Sequence, residues 1–321
     1  MKKISIVTPT YNEEGNVKAL VEAINRVISQ EKNYLFEHIF IDNASEDNTI
    51  NEICSLIDKF PHIGLIVYNR NFGQIRSPFH AISLTESDAT IQLCADLQEP
   101  PELIHEFIRE WEQGALVVGG VKESSAESKF MFMIRNIYYK ALSFVTEHHL
   151  VSQFTGFGLY DQSVIKELKS IKDLYPYTRG LISDLGFDVL EIPYKQGERR
   201  AGKSKNNFLS LFDYAVVGLI SNSKMPIRIA TIIGFAVSAF SFCIGVVYLV
   251  LKILYWNSFE LGLSPILILI SFGFSIIIFF LGILGEYIGS IHSEALTRKR
   301  VIEKNRINFP IKTPLHLKDT Q

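Results

Sequence analysis

Two long apolar stretches without a charged side chain constrain this chain more than any other feature of its sequence. The first covers residues 229–251, and the second covers residues 261–285. A helix of about 20 apolar residues crosses the hydrocarbon core of a bilayer. The stretches therefore predict a hairpin of two transmembrane helices, at about 227–252 and 261–286. The alternative is a buried hairpin of a soluble protein, which would normally keep a polar stripe.

Basic residues lie outside this hairpin on both sides. Lys224 and Arg228 precede it, the run Arg-Lys-Arg at 298–300 follows it, and only a short loop separates the two stretches. Because cytoplasmic loops carry an excess of Lys and Arg, both termini are predicted to be cytosolic. Two helices are too few for a usual transporter and suggest an anchor. Their small residues leave contacts in a homo-oligomer as an option.

Composition excludes several classes of protein. The formal net charge is -2, so no global electrostatic attraction to nucleic acid is expected. The three cysteines, Cys54, Cys94 and Cys243, are far apart and odd in number. This spacing suggests neither a disulfide framework nor a zinc site. The N-terminal apolar run is short and meets polar residues at once, which is typical of a strand and not of a signal peptide.

The first two hundred residues alternate between strand and helix patterns. Apolar residues at helical spacing follow the first predicted strand, from Val17 to Ile28, and the second, from Ile50 to Ile57. The predicted strands are 4–8, 38–42, 64–68, 89–94 and 115–118. This alternation predicts an α/β domain over 1–206, with a mostly parallel sheet between helices.

Beyond that domain, three further segments are predicted. Residues 207–224 have the spacing of an amphipathic helix, either lying in the membrane interface or packed on the domain. The hairpin follows over 227–290. The tail over 291–321 is polar and contains proline, so it is predicted to be cytosolic and partly disordered.

Polar side chains collect where the predicted strands end. Ligands of open α/β sheets bind at the carboxyl ends of the strands, so one crevice could gather these residues. They are Thr8, Tyr11, Asn12, Glu13, Asp42, Asn43, Asn71 and Asp96. The chain has no glycine-rich phosphate loop of either common type. If a nucleotide binds, side chains and a metal must therefore neutralise its phosphates.

Five motifs in order, followed by the hairpin, resemble glycosyltransferase family 2. More narrowly, they are similar to the membrane-anchored polyisoprenyl-phosphate glycosyltransferases, the group of bactoprenol glucosyltransferases and dolichol-phosphate mannose synthases. The resemblance covers roughly residues 1–290. The motifs are TPTYNEEGNV at 8–17, IFIDNASEDNT at 39–49, NRNFGQ at 69–74, ADLQEPPELI at 95–104 and RRAGKSK at 199–205.

This resemblance implies a GT-A (Rossmann-like) domain, a nucleotide-sugar donor and a divalent metal, Mg²⁺ or Mn²⁺. By the resemblance, Pro9, Tyr11 and Glu13 match the first nucleotide-binding motif, and Asp42 matches the aspartate that contacts the base. Asp96 and Gln98 match the metal and diphosphate motif. Hard oxygen ligands of this kind suit Mg²⁺ and Mn²⁺.

The resemblance also implies an acceptor site. Arg199, Ser204 and Lys205 match the loop that meets phosphates near the acceptor, where cations bind phosphate by charge-assisted hydrogen bonds. Arg135 lies in an apolar-rich helix candidate and either faces the acceptor phosphate or is a solvated surface arginine. Arg179 falls in an Arg-Gly segment that either shapes the acceptor site or has a structural role.

Three positions depart from the family pattern. Cys94 replaces the first aspartate of the common Asp-x-Asp motif, and Asn43 replaces the second of two paired aspartates. Gly156 stands where bacterial glucosyltransferase-like members often carry an aspartate that is a candidate base. A phosphate monoester acceptor has a second pKa of about 6. Its oxygen is already mostly a dianion near pH 7, so Gly156 does not exclude catalysis.

The resulting prediction is an inverting, metal-assisted transfer of a sugar to undecaprenyl phosphate or a similar polyprenyl phosphate. The donor expected from the resemblance is a UDP-sugar, with guanine as the alternative base. The reaction is placed at the cytosolic face of a bacterial inner membrane. Two alternatives stay open here: transfer to another lipid or a saccharide, and a catalytically silent membrane-anchored protein that only binds nucleotide sugar.

Overall fold

The computed structural model describes residues 1–124, 154–171, 176–197, 301–311 and 314–316, with single residues and short runs between 232 and 291. The described residues belong to two compact units. One contains the described parts of Met1–Ser143, His148–Asn207 and Thr297–Gln321, and the other contains those of Phe208–Leu296. The first unit therefore joins the predicted catalytic domain to the C-terminal tail.

An eight-stranded sheet organises the first unit, in the order β7-β5-β6-β4-β1-β2-β3-β8. Neighbours are parallel from β4 through β1 and β2 to β3, and again between β5 and β7. β6 and β8 run antiparallel to their neighbours. The strands are β1 Lys2–Thr10, β2 Tyr34–Asp42, β3 Ile63–Tyr68, β4 Ala89–Gln92, β5 Val117–Ser124, β6 Phe154–Asp161, β7 Val189–Lys195 and β8 Glu303–Ile307.

Among the described residues of this unit, six helices connect or flank these strands. They are α1 Val17–Ile28, α2 Thr49–Ile57, α3 Gly73–Ser83, α4 Leu103–Glu112, α5 Gln162–Ser170 and α6 Thr178–Asp184. The buried face of α1 consists of the same six apolar residues whose spacing predicts the helix: Val17, Leu20, Val21, Ile24, Val27 and Ile28. The prediction of an α/β domain with a mostly parallel sheet is confirmed, because only β6 and β8 run against the direction of the other six strands.

Burial explains why the parallel strands are easy to recognise in the sequence. β3 is buried along its whole length, and β2 is buried at all but one position. Strands covered by helices on both faces are near-continuous apolar runs. β7 and β8 are partly exposed edge strands, and the sequence did not identify them.

The C-terminal tail is ordered against the sheet, so the prediction of partial disorder is wrong for the described residues. β8 pairs with β3, with Ile307 opposite Leu65 and Arg306 opposite Ile66. Asn308 Nδ2 donates to the carbonyl oxygens of Pro61, at 2.8 Å, and Ile63, at 2.7 Å. The edge of β3 offers unpaired backbone N–H and C=O groups, and β8 satisfies them by pairing. The polar composition of the tail does not predict this pairing.

The second unit is described only in part. Its described residues at 232–254 and 266–291 are helical. Within this described subset, no helix is both long enough and apolar enough to cross a membrane. Most of the predicted hairpin, most of the short loop between the apolar stretches and the whole of the predicted juxtamembrane helix lie outside the described residues, so the hairpin stays a prediction.

Candidate functional site

The carboxyl ends of β1, β2 and β4 meet at one edge of the sheet. Thr10, the last residue of β1, is opposite Asp42, the last of β2, and Val7 is opposite Gln92, the last of β4. The loops after these strands therefore start side by side. The ends of β1 and β2 and the loops after the three strands carry all the described residues that the sequence predicts for the site, namely Pro9, Tyr11, Glu13, Asp42, Asp96 and Gln98.

Side chains join the loop after β1 to the loop after β2. The Asn12 backbone N–H donates to Ser45 Oγ at 2.9 Å, and Asn12 Oδ1 accepts from the Glu46 backbone N–H at 2.8 Å. The Glu13 backbone N–H donates to Thr49 Oγ1 at 2.8 Å. Asn12 has φ +55°, a left-handed conformation that asparagine tolerates better than most residues. The first motif, at 8–17, and the second motif, at 39–49, are thus joined by hydrogen bonds and form one wall of the crevice.

Asp42 shapes this wall from inside. Its side chain has 0 % exposure, and its two carboxylate oxygens accept from the backbone N–H and the hydroxyl of Ser45. Burial raises the pKa of the Asp42 carboxyl, and the hydrogen bonds from Ser45 oppose that rise. A base would reach this carboxylate only after a shift of the loop. The predicted contact between Asp42 and the base stays a prediction.

Asn43 has a structural reason to be an amide. Its Nδ2 donates to Asn71 Oδ1 at 3.0 Å, and its Oδ1 accepts from the Phe72 backbone N–H at 2.8 Å. Asn71 Oδ1 also accepts from the Gly73 backbone N–H at 2.8 Å. A carboxylate at position 43 could not donate to Asn71. The departure from paired aspartates therefore ties the loop after β2 to the start of α3.

Asp96 lies at the tip of a tight turn after β4. Its Oδ1 accepts from the Gln98 backbone N–H at 3.2 Å, and Leu97 between them has φ +59°. Positive φ at a branched apolar residue is uncommon and is maintained only by the surrounding structure. The apolar run therefore ends in a constrained turn that presents a carboxylate at the edge of the sheet.

Gln98 connects this turn to the segment that leads to the basic loop. Its Oε1 accepts from Gln196 Nε2 at 2.9 Å, and its backbone carbonyl accepts from the Gly197 N–H at 3.1 Å. The described chain stops at residue 197, two residues before Arg199. Arg135, Arg199, Ser204 and Lys205 lie outside the described residues, so their predicted contacts with phosphate stay predictions.

Glu99 is a residue of the turn that the sequence analysis did not identify. Its side chain is only 4 % exposed, and both of its carboxylate oxygens are bound. Oε2 accepts from the Cys94 backbone N–H at 2.7 Å, and Oε1 accepts from Thr155 Oγ1 at 3.1 Å. Burial raises the pKa of the Glu99 carboxyl to about 7, and the bond from Cys94 opposes that rise. Its sequence signal is weak, because Glu99 follows two other polar residues of the same turn, Asp96 and Gln98.

Gly156 is required by the backbone at the start of β6. It has φ +98°, which side chains rarely adopt, and a Cβ there would lie 3.3 Å from Gln92 Nε2. The Tyr160 hydroxyl donates to the Gly156 carbonyl at 2.7 Å. The positive φ therefore gives a structural reason for glycine at position 156 of this chain.

Arg179 on α6 has the structural role that the sequence left open. Its guanidinium donates to the Phe154 carbonyl oxygen and lies over the Tyr177 ring, 4.7 Å from the ring centroid. These contacts hold the first residue of β6, next to Thr155 and Gly156.

The donor set at the turn fits a hard divalent cation with few protein ligands. Among the described residues, no group of three or more His, Cys, Asp or Glu side chains could hold a metal ion. Asp96 supplies a carboxylate and Gln98 an amide oxygen, and Mg²⁺ completes such a shell with phosphate oxygens and water. The exposed Cys94 adds a thiol, a softer ligand that these ions do not prefer.

Comparisons with known proteins agree with this arrangement. The family model described as Glycosyl transferase family 2 matches residues 5–169. The chain is 32% identical to an uncharacterized glycosyltransferase of Bacillus subtilis, YkcC, over 92% of this chain and 91% of that protein. It is 30% identical to a bactoprenol glucosyl transferase of Shigella phage SfX, over 95% of this chain and 99% of that protein.

A solved structure shares the fold. The crystal structure of a mycobacterial protein superposes with a TM-score of 0.50 at 16% sequence identity, covering 70% of this chain and 76% of that chain.

Proposed function

The chain belongs to glycosyl transferase family 2, and on that premise we propose that it transfers a sugar from a nucleotide-sugar donor to a polyprenyl phosphate. Membership makes it a glycosyltransferase with a GT-A fold, which leaves the silent binding protein without support. One observation carries the acceptor: the similarity to a bactoprenol glucosyl transferase extends over 95% of this chain. The donor expected is a UDP-sugar, as in the sequence prediction.

The reaction needs an attacking oxygen, a leaving group and positioning. An oxygen of the polyprenyl phosphate attacks the anomeric carbon from the side opposite the diphosphate, so the configuration inverts. The bond from the anomeric carbon to the diphosphate breaks, and the nucleoside diphosphate leaves. Because the second pKa of a phosphate monoester is about 6, the attacking oxygen needs no protein base near pH 7. A chain with Gly156 in place of an aspartate is compatible with this chemistry.

Asp96 and Gln98 are the residues that would hold Mg²⁺ or Mn²⁺. When bound, such an ion stabilises the charge that develops on the leaving diphosphate. Asp96 lies in the turn after β4, and β4 pairs with β1, so this turn starts beside the loop after β1. Gln98 Oε1 already accepts from Gln196, so its second lone pair is the one available to a cation. Pro9, Tyr11 and Glu13 are proposed to line the nucleotide side, with Asp42 behind them.

The acceptor side is proposed to come from residues beyond the described chain. Arg199, Ser204 and Lys205 would bind the acceptor phosphate by charge-assisted hydrogen bonds, with Arg135 as a further cation. Support comes from the hydrogen bond between the Gly197 N–H and the Gln98 carbonyl at 3.1 Å. That bond keeps the start of the basic segment beside the metal turn.

A membrane location is part of the proposal. The two uncharged stretches would anchor the chain, with the catalytic domain and both termini on the cytosolic side of a bacterial inner membrane. In the second unit, large apolar side chains such as Ile232, Phe240 and Phe279 are exposed, at 68%, 68% and 64%. Surfaces of this kind suit contact with lipid or with another copy of the chain.

The test uses purified full-length protein in detergent with undecaprenyl phosphate, Mg²⁺ or Mn²⁺, and a panel of labelled nucleotide sugars. Label moving into the organic phase reports transfer. We expect one donor to be used, and Asp96→Ala to lower the rate by about 100-fold or more, because metal stabilisation of the leaving group contributes several kcal/mol. Asp58→Ala is the control, since Asp58 is an exposed acid at the end of α2.

Two results would contradict the proposal. If no donor supports transfer, the proposal that polyprenyl phosphate is the acceptor is contradicted. If Asp96→Ala and the native protein have equal rates, the proposed role of Asp96 in metal binding is contradicted. The second candidate is transfer to another lipid or to a saccharide. Treatment of the product separates the two, because a polyprenyl-phosphate sugar is labile to acid and stable to base.

A further inference from the structure

Glu99 is a buried acid whose role the proposed reaction does not explain. It ends the turn that carries Asp96 and is 4 % exposed. Its carboxylate links this turn to the start of β6. A carboxylate removed from water is costly unless its oxygens are bound, and here both are. The fold alone offers no reason for it, because an apolar side chain would normally fill a site this buried.

One end of the link closes the turn itself. Glu99 Oε2 accepts from the backbone N–H of Cys94 at 2.7 Å, which joins the first and last residues of the segment that carries Asp96. Within that segment, Asp96 Oδ1 accepts from the Gln98 N–H at 3.2 Å, and Leu97 keeps φ +59°. The carboxylate of Glu99 thus closes a ring around a backbone conformation that is unfavourable for leucine.

The other end reaches the start of β6. Glu99 Oε1 accepts from Thr155 Oγ1 at 3.1 Å, 56 residues along the chain. The neighbouring Phe154 carbonyl is held by Arg179, and Gly156 is held by the Tyr160 hydroxyl. The start of β6 is therefore fixed on three sides, and Glu99 connects that fixed point to the turn.

We propose that Glu99 is a positioning residue: its carboxylate holds the turn that carries Asp96 against the start of β6 and so fixes the metal ligand. This inference rests on the proposed function, because it concerns the cation that Asp96 would bind. Glu99 itself need not touch substrate or metal. Residues that orient metal ligands from behind typically contribute about 10- to 100-fold to metal affinity.

The experiment measures Mn²⁺ binding to full-length protein by electron paramagnetic resonance of the unbound ion, alone and with UDP or GDP. Glu99→Gln keeps the shape of the side chain but replaces one accepting oxygen with an NH₂ group. We expect it to weaken Mn²⁺ binding by about 10- to 100-fold. Thermal unfolding of each variant by circular dichroism checks that the fold is retained.

Two further variants separate positioning from loss of charge. Thr155→Val removes one hydrogen bond to Glu99 without changing any charge, and Thr155→Ser keeps the hydroxyl. We expect Thr155→Val to weaken Mn²⁺ binding by about 3- to 10-fold, since it removes one of the two hydrogen bonds that hold the Glu99 carboxylate. Thr155→Ser should restore it.

Glu37→Gln is the matched control for burial. Glu37 is 3% exposed and is bound by Lys3 Nζ, at 2.8 Å, and by the Ser5 hydroxyl on β1. We expect it to lower stability without weakening Mn²⁺ binding.

The proposal is overturned if Glu99→Gln or Thr155→Val binds Mn²⁺ as tightly as the native protein, or if Glu37→Gln weakens binding equally. Native protein that binds no Mn²⁺, alone or with either nucleotide, would contradict the metal role in the proposed function and this inference with it.

Discussion

The two halves of the sheet hold their site residues in different ways. In the first half, which consists of β1, β2, β3 and the loops after them, the contacts are close in sequence. Asp42 accepts from Ser45 three residues later, and Asn12 bonds Ser45 at a separation of 33. In the second half, with β4, β5, β6 and β7, Glu99 bonds Thr155 at a separation of 56 and Gln98 bonds Gln196 at 98.

The two halves therefore depend on different segments of the chain for their site structure. The first wall of the crevice is built within about fifty residues, and its loops can form as soon as β1 and β2 pair. The metal turn is complete only when distant segments reach it. Changes near β6 should therefore act on the turn, whereas changes in the first half should act locally.

The largest expected effect is in the second half, at Gly156. We expect Gly156→Asp to lower the free energy of unfolding by about 3 kcal/mol and to give no gain in transfer rate. A left-handed backbone costs a residue with a side chain about 1–2 kcal/mol, and a buried carboxylate adds to that. Thermal unfolding and the transfer assay measure the two outcomes.

Gly197→Ala is the control for this change, because its Cβ would meet Leu97 O at 3.5 Å, an ordinary contact. If Gly156→Asp is as stable as the native protein and transfers faster, the backbone at position 156 does not require glycine. Such a result would contradict the conclusion that the start of β6 is a fixed point on which the second half depends.

The next effect is in the first half, at Asn43. Asn43 is 7% exposed, and we expect Asn43→Asp to destabilise the protein by about 2 kcal/mol. The carboxylate cannot donate to Asn71 Oδ1 and would place a negative oxygen against it. Chemical denaturation in detergent measures the loss.

Asn51→Asp makes the same exchange in an exposed pair, where Asn51 Nδ2 donates to Asn48 Oδ1 at 2.8 Å. We expect a change there of less than about 0.5 kcal/mol. Equal losses in the two variants would mean that the bridge from Asn43 to Asn71 does not stabilise the wall of the crevice.

The last effect is a pH dependence of the first half, which develops only in acid. Burial lowers the pKa of His62 from 6.5 to about 4, and His62 Nε2 contacts Asn25 Oδ1 at 2.8 Å. The unfolded chain therefore binds a proton more readily than the folded one, and stability falls as the pH drops from about 6.5 towards 4. The expected slope is about 1.4 kcal/mol for each pH unit.

His62→Gln removes this term, because glutamine can still donate to Asn25 and does not titrate. We expect the difference in stability between the two proteins to change with pH below 6.5 and to be constant above it. His38, whose pKa burial lowers to about 3, remains in both proteins and cancels in the comparison. Parallel pH profiles would contradict the assignment.

Most of the first half could be read from the sequence. β1, β2, β3 and α1 are continuous or periodic apolar patterns, and the structure confirms them. The polar residues after the strands could be placed at one edge because parallel strands end together. The network that joins Asn12 to Ser45 could not be predicted in detail, since it depends on the register of β1 against β2.

In the second half, the sequence predicts β4, β5 and the turn with Asp96, but it does not identify β6 or β7. β7 alternates only weakly because it is a partly exposed edge strand. At the opposite edge, beside β3, the tail that forms β8 is too polar to suggest a strand. Both are strands because the sheet offers them an edge, and backbone pairing is indifferent to side-chain polarity.

Local pattern decided the family, the αβ alternation and the position of Asp96, because apolar period and short motifs are properties of neighbouring residues. Only the tertiary structure explains the amide at Asn43, the glycine at position 156 and the burial of Glu99. Each of these depends on a partner from another strand or a backbone angle. Such partners lie 28 residues away for Asn43 and 56 for Glu99, distances that only the folded sheet closes.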